Sequence, residues 1–305
     1  MGILNTSEVR PGIIAVLCKF LLTKDDFSYD EAKIRSLIEP SGIALKASEF
    51  NKTVRECETL KILSKENGKL KLNKPFSTDL DPSNFSNLQF VNLMRKQVLD
   101  ESVNNKITDK WAKQSGAREL TNSIAWYLEI DFKNLPEINK FDQFTPLQQR
   151  SFGVSTPFKD DEEFSNWPLT NQSRLSPFKQ WMVFLGFGWM SSEKILIPDP
   201  EKAILASLNQ IFAEKKDITA KDFRSRLAKE LPVLEEGKYR KFVQSNYAQE
   251  HQEALKINTS HFSQSTSMAL QTLVMREHLE MHRPSDDGAL NLFDGTSFSR
   301  ISLKQ

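Results

Sequence analysis

Residues 48–72 read S-E-F-N-K-T-V-R-E-C-E-T-L-K-I-L-S-K-E-N-G-K-L-K-L. Phe50, Val54 and Cys57 recur at helical spacing and predict a buried stripe, which leaves Asn51, Lys52 and Arg55 on the opposite side. Ser48 stands where an N-cap belongs. Glu49 follows in the first turn, where the helix dipole favours an acid. Asn67-Gly68, between Ile62-Leu63 and Leu70-Lys71-Leu72, tolerates positive φ at both central positions and predicts a tight hairpin. A helix running into such a ribbon is how a winged helix-turn-helix is built. On that reading Lys52 and Arg55, with Asn51 beside them, reach base edges or phosphates. The wing lysines Lys65, Lys69 and Lys71 are spaced to straddle a backbone.

The residues before this stretch supply the rest of the motif. Pro11 opens a helix at its first turn, where a missing N–H is no loss, and the helix runs to about Thr23. Ser28 or Asp30 starts a second helix, with Ile34, Leu37 and Ile38 facing inward, and Pro40 and Gly42 end it. The predicted core is Ile14, Leu17, Phe20, Leu21, Ile34, Leu37, Phe50, Val54, Ile62 and Leu70.

Beyond it, residues 73–87 are rich in turn formers and read as a linker. Helices are predicted over 88–99 and 120–130, and only short regular structure over 131–169, which Pro136, Pro146, Pro157 and Pro168 interrupt. The helix over 175–187 carries an aromatic stripe, Phe178, Trp181, Phe184 and Phe187, read as core. A turn and two-stranded wing with Ile195 and Ile197 on one side follow it, the outline of a second winged helix. Pro200 opens a helix over 201–213, Thr219 caps one over 220–231, and further helices cover 238–249 and 263–277. After the last, Leu279 and Met281 alternate with polar residues, Asp287-Gly288 supplies a turn, and Leu290 and Leu292 alternate on the return strand. Phe298 and Ile301 extend this toward one more strand. Ser265, Ser267, Gln271 and Thr272 are expected on the exposed side of that helix, with Ser267 and Gln271 as hydrogen-bonding contacts to DNA.

The fold class is therefore mostly α with small β-hairpins, with tandem winged helix-turn-helix domains around a helical middle region. The domains would span 1–75, 76–198 and 199–305, the middle one ending in the second wing. A chain of 305 residues is long for one domain, and 27% charged residues suit a soluble protein. Formal net charge is +1, so no global cationic field holds nucleic acid. Locally the balance is +3 over 1–75, −2 over 76–198 and 0 over 199–305. Cys18 and Cys57 sit on apolar stripes and read as buried free thiols. The apolar run over 13–22 contains Lys19 and is too short to span a bilayer, and no signal-peptide cleavage site follows it. A cytoplasmic protein without membrane contact is the expectation.

No residues group into a recognisable active site. His278 and His282 stand four apart, but Leu279 occupies the place of the general-base glutamate of zinc hydrolases. The run Asp160–Glu163 reads as a solvated surface. Gly186 and Gly188 lack the third glycine of a dinucleotide fingerprint. Neither a G-x-x-x-x-G-K-S/T loop nor a G-x-S-x-G elbow is present. The expectation is a non-enzyme without cofactor or metal.

The opening M-G-I-L-N-T, the F-L-G-F-G-W at 184–189, L-I-P-D-P-E-K-A-I at 196–204, L-P-V-L-E-E-G-K-Y-R at 231–240 and S-D-D-G-A-L-N-L at 285–292 together resemble the DpdG proteins. These belong to bacterial gene clusters that insert deazapurine bases into DNA and restrict DNA lacking them. The resemblance implies a part in modification-dependent restriction and defence against phage, beside other subunits that carry nuclease and ATPase activities. It transfers no catalytic residue. The partners expected are double-stranded DNA and other restriction-system subunits; the rival reading is a protein–protein scaffold that never touches DNA.

Overall fold

A computed structural model describes residues 2–5, 9–38, 48–104, 116–154, 167–192, 194–257, 260–283 and 288–304. Its first half runs α1 (Pro11–Leu22), β1 (Ser28–Asp30), α2 (Glu31–Ile38), α3 (Ser48–Thr59), β2 (Leu63–Glu66), β3 (Lys69–Leu72), α4 (Phe76–Asp79), α5 (Asn87–Leu99), α6 (Arg118–Tyr127) and α7 (Phe141–Phe152). Next come α8 (Leu175–Phe184), β4 (Gly188–Met190), β5 (Leu196–Pro198), α9 (Glu201–Ile211), β6 (Asp217–Thr219) and α10 (Ala220–Glu230). The last are α11 (Lys238–Ser245), α12 (Gln249–Ile257), α13 (Gln264–Met275), β7 (Leu279–His282), β8 (Leu290–Asn291), β9 (Ser297–Phe298) and β10 (Arg300–Leu303). The chain is mostly helical with small antiparallel ribbons, as its periodicity predicts. The predicted helix ends at Pro40 and Gly42, the acidic run and Asp287 lie outside the described residues.

Two compact units form. The first takes the described residues of 1–109, 113–120 and 176–185; the second takes those of 110–112, 121–175 and 186–305. In the first, α1, α2 and α3 bury Ile14, Leu17, Ile34, Phe50 and Val54. Leu37, expected in this core, is 62% exposed. A short helix such as α2 turns one narrow face inward, and Ile34 occupies it. Phe20, also expected inside, is only half-buried and packs edge-on against Tyr29. Helices α5 and α8 close this unit: Phe90 meets Phe184 at 6.0 Å, and the buried Arg95 donates Nε–H to the Leu185 carbonyl at 2.6 Å.

In the second unit the buried part of α6 is pinned by side chains, with Tyr127 Oη donating to the Leu196 carbonyl at 2.8 Å and Ser123 Oγ to that of Pro168 at 3.0 Å. Helix α7 corrects the expectation of only short structure over 131–169, since it forms with Pro146 inside it. Phe144, Gln148 and Phe152 make a buried i, i+4, i+8 stripe, and that packing outweighs the missing backbone bond. The Gln148 amide clamps Leu169, donating to its carbonyl and accepting from its N–H, both at 3.0 Å.

Each unit contains the same six-element run, α–β–α–α–β–β. In the first it is α1-β1-α2-α3-β2-β3, with sheet order β1-β3-β2; in the second it is α9-β6-α10-α13-β7-β10, with sheet order β6-β10-β7. The registers coincide: Tyr29↔Leu70 answers to Ile218↔Ile301, and Leu63↔Leu72 to Leu279↔Leu303. Asp30 and Thr219 each end the first strand and cap the next helix, accepting from the N–H of Lys33 and Asp222. After α3 and α13 the chain closes with a left-handed residue, Lys61 (φ 56°) or Glu277 (φ 61°). The next N–H then returns to the helix, Ile62 to the Cys57 carbonyl and His278 to that of Leu273. The second copy differs by two added segments, 231–263 with α11 and α12, and 283–299 with β8 and β9.

That second segment overturns one predicted pairing. The return strand expected to follow Asp287-Gly288 does not pair with β7. Leu290 pairs with Phe298, while β7 takes β10 as its partner. Strand β10 lies between β6 and β7 and buries Ile301 completely, which a local turn cannot match.

Candidate functional site

Helix α3 turns Phe50, Val54 and Cys57 inward, with at most 4% exposure, because a 3.6-residue period puts them on one stripe. Asn51 and Arg55 are exposed on its other side and Lys52 is half-buried. The ribbon turns at Asn67 (φ 50°) and Gly68 (φ 76°), a type I′ geometry that matches the strand twist. Strand β3 alternates, with Leu70 and Leu72 buried and Lys69 and Lys71 exposed. Lys65 is exposed on β2. Strand β1 pairs with the inner side of the ribbon and holds it to α2, whose Glu31 N–H donates to the Gly68 carbonyl at 3.0 Å.

Carboxylates neighbour most of these exposed cations. Lys65 pairs with Glu31, Lys71 lies 3.7 Å from Glu66, and Arg55 lies 3.5 Å from Glu56. Their side chains remain close to half exposed, so the Lys65 and Lys71 pairs are worth about 0–1 kcal/mol each and exchange readily for another anion. Arg35 of α2, which sequence reasoning missed, donates to Asn51 Oδ1 and lies over the Phe50 ring at 5.4 Å. Nothing in the local spacing ties residues of two different helices together. Glu56, next to Arg55 in the chain, is buried and points away from this exposed surface, with Arg55 as its ion-pair neighbour. Burial pushes its carboxyl up from the ordinary value, against the pull of Arg55.

The corresponding face of the second copy is closed. Counting back from the shared turn, Asn51 answers to Ser267 and Arg55 to Gln271. Ser265 and Ser267, expected to be exposed, are 0% and 2% exposed. Ser265 Oγ donates to the Leu128 carbonyl at 2.7 Å. Ser267 Oγ accepts from the Phe293 N–H at 2.9 Å, and half-buried Gln271 donates to Asp294 Oδ2 at 2.7 Å. The β8–β9 hairpin therefore covers the α13 positions whose counterparts on α3 are exposed.

A family model described as DpdG-like matches residues 1–287. The chain belongs to the DpdG-like family. No curated protein and no solved structure matches it. The match takes in the whole α1–β3 run and extends through α13 and β7 of the DpdG-like chain. Membership suggests involvement in a Dpd system and hints at a multi-subunit complex. No helix among the described residues is long and apolar enough to cross a membrane.

Proposed function

We propose that this DpdG-like protein binds and positions double-stranded DNA through an N-terminal winged helix, as a non-catalytic component of a cytoplasmic, modification-dependent restriction complex. The reading takes the α1–β3 run as a winged helix-turn-helix, with α3 entering the major groove and the β2–β3 ribbon lying along a backbone. The observation that carries it is the joint exposure of Asn51 and Arg55 on α3 with Lys65, Lys69 and Lys71 on the adjoining ribbon. A scaffold that docks proteins and never touches DNA is the second reading, favoured by the carboxylates paired with Lys65 and Lys71.

A mobility shift on duplex DNA across a salt series separates the two. The wild-type chain is expected to bind with a steep salt dependence. Replacing Lys65, Lys69 and Lys71 together by alanine lowers the slope by roughly three phosphate contacts. Binding that ignores both salt and these lysines favours the scaffold. For the non-catalytic part, modified and unmodified DNA incubated with the isolated chain and Mg²⁺ or Mn²⁺ is expected to stay intact, and cleavage overturns it.

A further inference from the structure

Arg35 of α2 and Asn51 of α3 settle which hydrogen-bonding group α3 turns outward near its N-terminal end. An asparagine amide has an oxygen that accepts and an N–H2 that donates, and either can face solvent. Here Arg35 Nη2 donates to Asn51 Oδ1. A guanidinium carries only donors, so the amide nitrogen cannot be the atom that faces it. Asn51 is exposed, and its Nδ2 has no partner among the described residues.

Arg35 is itself held in place. Its guanidinium lies over the Phe50 ring at 5.4 Å, and Nη2 stands 3.7 Å from Glu31 Oε1. Glu31 is tied in turn to the ribbon: Oε2 pairs with Lys65 Nζ, and its backbone N–H donates to the Gly68 carbonyl. Ribbon, α2 and the outer side of α3 are thus joined through Glu31 and Arg35. The other charges of α3 near Asn51 are Glu49 and Lys52, both half-buried, and Arg55 one turn along. Glu58, an exposed carboxylate, lies two turns along, about 10 Å up the helix axis.

This geometry narrows what the helix can read. An asparagine matches adenine by using both ends of its amide, Oδ1 accepting from the N6 amine while Nδ2 donates to N7. With Oδ1 spent on Arg35, only the N–H2 is offered. Guanine shows two adjacent acceptors in the major groove, O6 and N7, and no donor. Adenine sets an amine beside N7, and thymine has O4 alone next to a methyl group. We propose that Asn51 is a specificity-determining residue, a donor-only reader that selects guanine over adenine at the base it meets. Arg35 is its positioning residue. The inference rests on the proposed entry of α3 into the major groove and names the base preference of that site.

Selection by the full-length chain from a duplex library with a randomised core tests it. The wild type should enrich guanine over adenine at one fixed position by roughly tenfold. Asn51→Asp still accepts from Arg35 but has no hydrogen to donate. Guanine should lose its advantage there, and cytosine, whose N4 amine donates, should gain. Arg35→Ala frees Oδ1, and adenine should then equal or exceed guanine. The aspartate variant keeps the contact to α2 and carries the test alone if Arg35→Ala does not fold. A purely structural role would weaken every sequence alike and leave the base preference in place, which overturns the proposal. Enrichment of adenine by the wild type overturns it too, as does an unchanged preference in Asn51→Asp. A chain that binds no duplex defeats the DNA reading of α3 as well, whereas duplex binding indifferent to sequence defeats this inference alone.

Discussion

At the scale of single residues, burial decides which groups can react. It pushes the Cys18 and Cys57 thiols far above their ordinary value, and a protonated thiol is a poor nucleophile. At about pH 8 the native protein should therefore leave a disulfide thiol reagent untouched, with both thiols reacting once denaturant is added. Rapid reaction of either in the folded state would contradict their placement. Their apolar stripes made this legible in the sequence; Glu56 shows the opposite case. A glutamate is read as solvated unless its neighbours in space are known, and here it is buried with Arg55 3.5 Å from one oxygen. Its folded pKa is raised, so the charged form costs stability once pH exceeds the ordinary carboxyl value. Glu56→Gln should be more stable than wild type at neutral pH, with the difference vanishing below about pH 4 as both states of the wild type protonate. A denaturant titration at the two pH values reads this directly. Gly237 was equally illegible: a Cβ there would stand 2.4 Å from the Pro232 carbonyl oxygen. Gly237→Ala should destabilise by about 1–3 kcal/mol in the same assay.

Among elements, those specified by local chemistry could be read and those specified by distant partners could not. Asn67-Gly68 announced its ribbon because both residues accept the left-handed conformation they adopt. Asn67→Ala should cost about 1 kcal/mol for that reason. The C-terminal ribbon misled because Asp287-Gly288 looks like a turn, while the strand that pairs with β7 arrives only at Arg300. Strand β6 was missed altogether, being short and, among the described residues, paired with β10 alone. Between them the β8–β9 hairpin is held to α13 through Asp294. The backbone N–H of Thr296, then its hydroxyl and the Gln271 amide, lower the Asp294 carboxyl below its ordinary value of 3.8. A group depressed in the folded state contributes stability above its unfolded value and loses it as pH falls through the folded one. The exchange protection factors over 288–298, measured against the intrinsic rate at each pH, should fall at pH below 3.8 while α13 stays protected. Protection factors that stay constant across that range would show that Asp294 does not hold the hairpin.

For the whole molecule, the repeated six-element run makes one chain carry two versions of the same surface, and the two have diverged. In the first copy Asn51 and Arg55 are open and the surrounding residues 1–75 carry a net charge of +3. In the second, Ser267 and Gln271 occupy the same positions beneath the added hairpin, and residues 199–305 are neutral. Helical periodicity marks a polar face on α13 but carries no sign of what later folds over it. That is why both helices looked available to DNA in the sequence and only one presents an open face. The asymmetry predicts a paired result on the full-length chain. Arg55→Ala should weaken duplex binding and reduce the salt slope by about one, whereas Gln271→Ala at the matching position should change neither. Equal losses from both variants would mean that the hairpin opens when DNA arrives. No loss from Arg55→Ala would move the nucleic-acid surface away from α3 and leave protein docking as the better account of the first copy.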